Sequence, residues 1–519
     1  MPSKYQPLSG VPRDFRKLFL DIDTSCEYRI GIKRPCTAPS TPSCITMHLD
    51  HVDVVIVGAG LSGLRAATLI QEAGLSCIVL EGNDRVGGRT LSVSTDPNGA
   101  VYSGQADLGA CWLNNTSQSE IYKLAKQFGF HLIKQHAEGE DIIQQADGSV
   151  IAVPYGRGAL QNDPDLLPFL KEVNALIDSI DLEHPEQSPR AKHLDSMSAK
   201  ELADSLYGEY AAAVMSSATS GLLGAEADEV SALFFLHYLK SATGIINVGS
   251  DLKDGGQYLR NRMGNQRFSV KLAETMRPGT VHLSAPVKKI QQLGQNSCIV
   301  RTATGEAFGC KRVVVSLPTT NYSSIEFDPP LPRVKQQLTE STALGYYSKM
   351  DLVFHAPWWR EAGFSGVIHS QTGPFTLSYD TCCEEDKQYS ISCFLVGELG
   401  RQWSKWSAAE RKRQVLEQFN TVVEAVRPDL NVPAPIEVIE KEWTKDRWTL
   451  GGPCSFMGPG VLTSDAGKAL KSSVGNIHFV GTETSVVWKG YMEGAVRSGM
   501  RGAEEVIYAL RPTSEVSCH

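Results

Sequence analysis

The segment Asp53-Val-Val-Ile-Val-Gly58-Ala-Gly60-Leu-Ser-Gly63 anchors the ordered part of this chain. Val54 to Val57 form a short β-branched run that stops at glycine, the pattern of a strand buried on both faces of a parallel sheet. Ser62 to Gly74 fits a helix, with Leu64, Ala67 and Leu69 available for packing and Gly74 as its stop. Cys77-Ile-Val-Leu80 reads as the next strand. Strand, helix and strand make a unit of about 30 residues, the span of a dinucleotide-binding βαβ fold. Its three glycines divide the work. Gly58 permits the tight turn, Gly60 lets backbone approach a pyrophosphate, and Gly63 lets helix and strand pack closely. The helix amides and dipole then favour phosphate charge. Glu81 ends the second strand, where a carboxylate can hold ribose hydroxyls. A G-x-G-x-x-G alone is weak in a chain with 46 glycines; the strand, the helix and the acid give it weight.

The next residues, Glu81-Gly-Asn-Asp-Arg85-Val-Gly87-Gly88-Arg89-Thr90, place two glycines between two arginines. This is a second place for close backbone approach, beside cations suited to phosphate. Nicotinamide enzymes do not ordinarily need it. The closing segment repeats the opening grammar: Ile477-His-Phe-Val480 as a strand, Gly481-Thr-Glu483 as a turn, and a long helix expected from Gly490 to Leu510.

Composition narrows the class. Of 519 residues, 42% are apolar and 21% charged, which excludes a disordered, collagen-like or coiled-coil chain. A net charge of −8 argues against nucleic acid as the main partner. No window approaches the roughly 18 consecutive apolar residues of a membrane helix, so no membrane partner is expected. Met1-Pro-Ser-Lys-Tyr5 lacks the apolar core of a secretory signal, and the 12 cysteines show no metal-like C-x-x-C pairing. A reduced, cytoplasmic setting is the expectation, with no metal site. H-E-x-x-H and G-x-S-x-G motifs are missing.

Residues 1–50 are rich in proline and serine and read as an extension; 511–519 read as a tail. Helices are expected from about 155 to 245, and short strands near Val281, Cys298 and Arg312. Strands at Lys349 to Phe354 and Tyr389 to Val396 and a helix from Ala408 to Val426 complete the middle. The expected fold class is α/β. A Rossmann-like cofactor domain would be assembled from 51–135, 245–320 and 440–510, with a substrate domain of α+β type from 136–244 and 321–439.

With these motifs in place, the chain resembles the flavin-dependent amine oxidases. The matching stretches are Val55 to Leu64, Arg85-Val-Gly-Gly-Arg89, Asp107-Leu-Gly-Ala110 with Trp112, Phe479-Val-Gly-Thr-Glu-Thr484, and Trp488-Lys-Gly-Tyr-Met-Glu-Gly-Ala495. Within that superfamily the chain is most similar to fungal fumonisin amine oxidases. Ser241-Ala-Thr-Gly244, Lys253 to Tyr258, Val315 to Thr320, Leu344 to Lys349 and Pro357-Trp-Trp-Arg360 carry this likeness.

The resemblance implies FAD, held by Gly58, Gly60, Ser62, Gly63, Glu81, Arg85, Gly88, Arg89, Gly109, Ala110, Trp112, Val287, Glu483, Tyr491 and Met492. Tyr491 corresponds to one wall of the family's aromatic cage, and Gln257 to a glutamine lining the substrate pocket. Two departures stand out. Where mammalian-type relatives carry a flavin-linked cysteine followed by the second cage tyrosine, aligning Gly451-Gly452 puts Pro453 and Cys454. Proline forms no thioether, so noncovalent FAD is expected; a shift of one residue would make Cys454 the link. The second cage wall becomes the Cys454 thiol or Phe456. The lysine near flavin N5, sought before Phe327-Asp-Pro-Pro-Leu-Pro332, is replaced by Ser324, and Lys349 is the nearest family-like lysine, its role unassigned.

The implied reaction is oxidative deamination of a primary amine by oxygen, yielding a carbonyl, ammonia and hydrogen peroxide. The substrate expected is a long-chain 2-amino polyol, fumonisin or its hydrolysed backbone. The alternatives are a general monoamine or polyamine oxidase and an L-amino-acid oxidase, the last needing an arginine for the carboxylate. A homodimer is left open as an expectation.

Overall fold

A computed structural model describes residues 50–96, 104–157 and 162–511. The extension expected over 1–50, apart from Asp50, and the tail after Arg511 lie outside the described residues.

The opening strand, Asp50–Val57, runs parallel to both Cys77–Leu80 and Ala307–Val315. Around it the sheet has eight strands. Cys77–Leu80 continues to Val281–His282, and Ala307–Val315 continues antiparallel to Ser297–Thr302 and Val287–Gly294. Ile477–Phe479 pairs parallel with Ala307–Val315, so the two ends of the folded chain meet in one sheet. Alternation explains the unbroken apolar run. Val54 and Ile56 enter a core built with the helices Leu61–Glu72 and Met492–Leu510, whereas Val55 and Val57 enter a second core with Ile290, Val300 and Phe479. Both faces are covered, as a mostly parallel sheet requires. The strand Glu326–Asp328 pairs with Val287–Gly294 and buries Phe327 in that second core, so the sheet extends past the expected boundary at residue 320.

A second, seven-stranded sheet is mostly antiparallel. Tyr347–Phe354 lies between Glu437–Glu442 and Tyr389–Val396, followed by Leu377–Asp380, Phe364–Ser370, Glu140–Gln144 and Val150–Pro154. The helix Ala408–Val426 packs Val415, Phe419, Val422 and Val423 against it. The expected helical stretch resolves into Leu167–Ser179, Ala191–Asp195, Ala199–Leu223 and Ala232–Ser241. Ala199–Leu223 starts with a capping box between Ser198 and Glu201 and breaks at Tyr207 and Gly208, where Gly208 takes φ +71°. The closing helix begins at Met492, two residues later than expected from Gly490. Trp488 and Gly490 both have positive φ, and Tyr491 is extended, so the helix cannot start earlier. Among the described residues no helix is long and apolar enough to cross a membrane.

Candidate active site

A cavity of about 570 Å³ opens at the C-terminal ends of the parallel strands and is lined from both sheets. Its floor is the first glycine turn. An added Cβ at Gly58 would lie 2.8 Å from the Ser316 carbonyl oxygen, and at Gly63 only 2.1 Å from that of Gly58. Gly60 differs: a Cβ there would meet nothing within 4 Å, because the residue faces the cavity. Packing requires Gly58 and Gly63, while Gly60 leaves room for a ligand. The following helix has no side-chain cap and no acid in its first turn, so its N-terminal amides are available to an anion. Ser62 also lines the cavity and shares a 2.8 Å hydrogen bond with Ser316.

The second glycine turn docks on the first. Gly87 N–H donates to Ala59 O at 2.9 Å, and Gly88, at φ +55°, lines the cavity beside Gly60. Arg85 holds this loop from behind, donating to Thr90 O and Gly88 O at 2.9 Å each. Its guanidinium therefore serves the loop's carbonyls, and Arg85 is not among the lining residues. Glu81 lines the cavity and accepts from Ala59 N–H at 2.6 Å and Asn83 N–H at 2.8 Å. Burial pushes its carboxyl up, while those two amides pull it back toward the ionised form.

The other end of the cavity is aromatic. Lys349, 2% exposed, donates to Asp107 O at 3.0 Å, Gly109 O at 2.8 Å and Cys111 Sγ at 3.2 Å. Its ammonium also sits 4.7 Å from the Phe394 ring and 5.6 Å from Trp112. Burial pushes neighbouring Asp107 up to about 6 and Cys111 up to about 11. Trp112 stacks on Phe394 at 5.7 Å and donates its indole N–H to Gln135. Gln257 accepts from the Tyr379 hydroxyl at 2.8 Å. Tyr491 packs edge-on against Trp488 at 4.8 Å, and its hydroxyl donates to Val248 O at 3.3 Å.

Most of the residues chosen from sequence therefore meet here: Gly58, Gly60, Ser62, Glu81, Gly88, Arg89, Gly109, Ala110, Trp112, Gln257, Val287, Lys349, Tyr491 and Met492 all line the cavity. Gly63, Arg85, Glu483 and Cys454 stand behind the lining. Glu483, 3% exposed, receives Arg89 at 3.0 Å and Ser455 N–H at 3.3 Å, tying the second glycine turn to the closing segment. Arg89 also donates to Pro453 O at 2.6 Å. Pro453 lines the cavity, whereas Cys454 is fully covered in the helical core, which drives its thiol up to about 12. Phe456 is buried in the same core. Neither forms the wall opposite Tyr491. Ser324, at the position expected of the family lysine, also lines the cavity, and Lys349 is a lysine at its aromatic end.

Tyr347, Phe394, Tyr238 and Trp448 also line the cavity and were not expected from sequence. A signal for two of them existed. Tyr347 lies two residues before Lys349, hence on the same strand face, and Phe394 is Lys349's partner in register. Tyr238 and Trp448 are brought in by tertiary packing alone.

The lining fits a flavin dinucleotide: two interlocked glycine turns, an uncapped helix end, a ribose acid, and an aromatic chamber beyond. The model for flavin containing amine oxidoreductases matches residues 61–507. The chain is 31% identical to a probable flavin-containing monoamine oxidase A of Dictyostelium discoideum, covering 88% of this chain and 97% of that protein. It is 32% identical to human flavin-containing amine oxidase B, over 89% of this chain and 87% of that one. Among solved structures it is similar to cyclohexylamine oxidase from Brevibacterium oxydans, with a TM-score of 0.80, 28% identity, and coverage of 88% and 99%. A putrescine-bound putrescine oxidase gives 0.79 and 27%, with the same coverage. The chain belongs to the flavin containing amine oxidoreductase family: it is an amine oxidase, and its cofactor is FAD.

Proposed function

We propose that this enzyme oxidatively deaminates a long-chain primary amine of the fumonisin type, intact or hydrolysed, to the 2-keto product with ammonia and hydrogen peroxide. One observation carries the reading: the cavity's far end is walled by aromatic and amide side chains, Trp112, Phe394, Tyr347, Tyr491 and Gln257. The cation nearest these rings, Lys349, has its ammonium directed at three acceptors. The lining arginines, Arg89 and Arg447, are engaged elsewhere, with Glu483 and over the Trp448 ring at 4.6 Å. Among the described residues, a substrate carboxylate thus meets no unengaged arginine at the aromatic end, which weighs against an L-amino-acid oxidase. The substrate class itself rests on the five stretches from Ser241 to Arg360 that resemble fumonisin amine oxidases.

Bound FAD supplies a two-electron acceptor for the amine α-carbon and passes the electrons to oxygen. The chain does the rest. The aromatic walls desolvate an ammonium and so favour the neutral amine whose lone pair drives oxidation. Gln257, held by Tyr379, offers its amide to the substrate, and Tyr491 positions the amine between rings. We read the large sheet with its flanking helices as the cofactor domain (51–135, 245–320 and 440–510, with 326–328 added) and the remainder as the substrate domain. FAD is held without a covalent bond, because Pro453 faces the cavity and Cys454 does not.

A peroxide-coupled screen of intact fumonisin, hydrolysed fumonisin, hexylamine and spermidine tests this. The highest kcat/KM should fall on a fumonisin form. Hexylamine or spermidine turning over far faster would replace this substrate with a broad alkylamine range.

A further inference from the structure

Of the eight described cysteines, two face each other across the large sheet, away from the cavity. Cys298 and Cys310 are register partners on the antiparallel strands Ser297–Thr302 and Ala307–Val315. Directly opposed residues in such a ladder have Cα atoms about 4.5 or 5.5 Å apart. A disulfide accepts Cα separations of about 4.4–6.8 Å. The register therefore places the two backbones within the spacing that a disulfide accepts, and both thiols belong to one core cluster, 2% and 5% exposed.

Their surroundings differ from those of the other thiols. Burial raises Cys77, Cys111, Cys382, Cys383, Cys393 and Cys454. Cys298 is held down by its interaction with the Cys310 thiol, then by Asn476 and the charge of Arg312, while Cys310 goes up. Arg312 is 8% exposed and donates to Asn476 Oδ1 at 2.9 Å, yet its Nε is buried with no acceptor among the described residues. Two thiols in register, with the charge of Arg312 acting on Cys298, supply both partners of a disulfide.

We infer that Cys298 and Cys310 form a peroxide-responsive dithiol, with Cys298 attacking and Cys310 resolving. The Cys298 thiolate attacks one oxygen of hydrogen peroxide and the O–O bond breaks. The departing hydroxide takes a proton as water, and sulfur, two electrons poorer, becomes sulfenic acid. The Cys310 thiol then displaces that hydroxyl as a second water, and the S–S bond forms. Amine oxidation supplies the oxidant as its own product, so the physiological role rests on the reading above; the test does not, because it uses added peroxide.

Trypsin separates the two cysteines into Ile290–Arg301 and Thr302–Lys311. After graded hydrogen peroxide treatment of the flavin-loaded enzyme, these peptides should appear linked, two mass units below their sum, and should separate on reduction. In Cys310→Ser, Cys298 should be labelled by dimedone, whereas Cys298→Ser should leave Cys310 unlabelled. The flavin spectrum of each variant checks that it folds. Peptides that stay unlinked while methionines elsewhere oxidise would overturn the proposal. So would equal dimedone labelling of both single variants.

Discussion

Tyr491 contributes its ring to the cavity wall, and its hydroxyl donates to Val248 O at 3.3 Å and lies within hydrogen-bonding reach of the Tyr238 side chain. Removing that hydroxyl should cost about 1 kcal/mol of stability or less. Tyr491→Phe should therefore keep most of the turnover. Tyr491→Ala takes away the wall itself and should lower kcat/KM on the order of tenfold or more, as expected for a misplaced substrate. Equal losses in the two variants, measured with one amine, would assign the role to the hydroxyl. Other single-residue roles were hidden from the sequence because they depend on where a side chain is aimed. Arg85 supports its own loop, and Glu493 in the closing motif receives the Glu120 and Ile121 amides at 3.0 and 2.8 Å, capping a different helix.

At the scale of elements, the glycine turns separate packing from binding. Gly60→Ala adds a methyl into open space, so the protein should fold normally and hold FAD at least about tenfold more weakly, having lost the close approach to pyrophosphate. Gly63→Ala drives a methyl to 2.1 Å from a carbonyl oxygen and should cost about 3 kcal/mol or more of stability. Thermal melts with flavin titration distinguish these outcomes, and similar effects from both would contradict the division. The segment Gly451–Cys454 yields a second expectation. Acid precipitation should release all yellow flavin to the supernatant; colour kept in the pellet, and lost in Cys454→Ser, would make Cys454 the link. The opening strand and helix were legible because their local pattern and their tertiary role coincide. The closing helix starts later than its sequence suggests, because nothing in the residue types of Trp488 and Tyr491 announces the positive φ at Trp488 that delays it.

At the scale of the whole molecule, the chamber is shared by two sheets whose strands come from distant parts of the chain, and this was the least legible feature. Composition and motifs located the cofactor cradle, but Tyr347, Phe394 and Trp448 converge only once the second sheet is built. Packing also buries Lys335, 1% exposed, with its ammonium 2.6 and 3.0 Å from Ala469 O and Leu470 O. Desolvation brings it down to about 7. Above that pH the folded protein carries Lys335 neutral while the unfolded chain stays protonated up to about 10.4, so unfolding binds a proton and the contribution to stability rises with pH. Between pH 7 and 9 the wild type should gain stability relative to Lys335→Met, by about 1.4 kcal/mol per pH unit at most. Parallel unfolding curves would show that this lysine remains charged.

The proposed chemistry requires an aromatic chamber that takes a neutral amine beside FAD. A free alkylammonium has a pKa near that of lysine, about 10.4, and desolvation by the chamber should lower it once bound. The deciding measurement is peroxide release from a long-chain primary amine at saturating oxygen, followed from pH 6 to 10. The account predicts a rate that climbs through a single ionisation, with an apparent pKa below that of the free amine. A rate that is flat across this range, or that falls as the amine loses its proton, would contradict it.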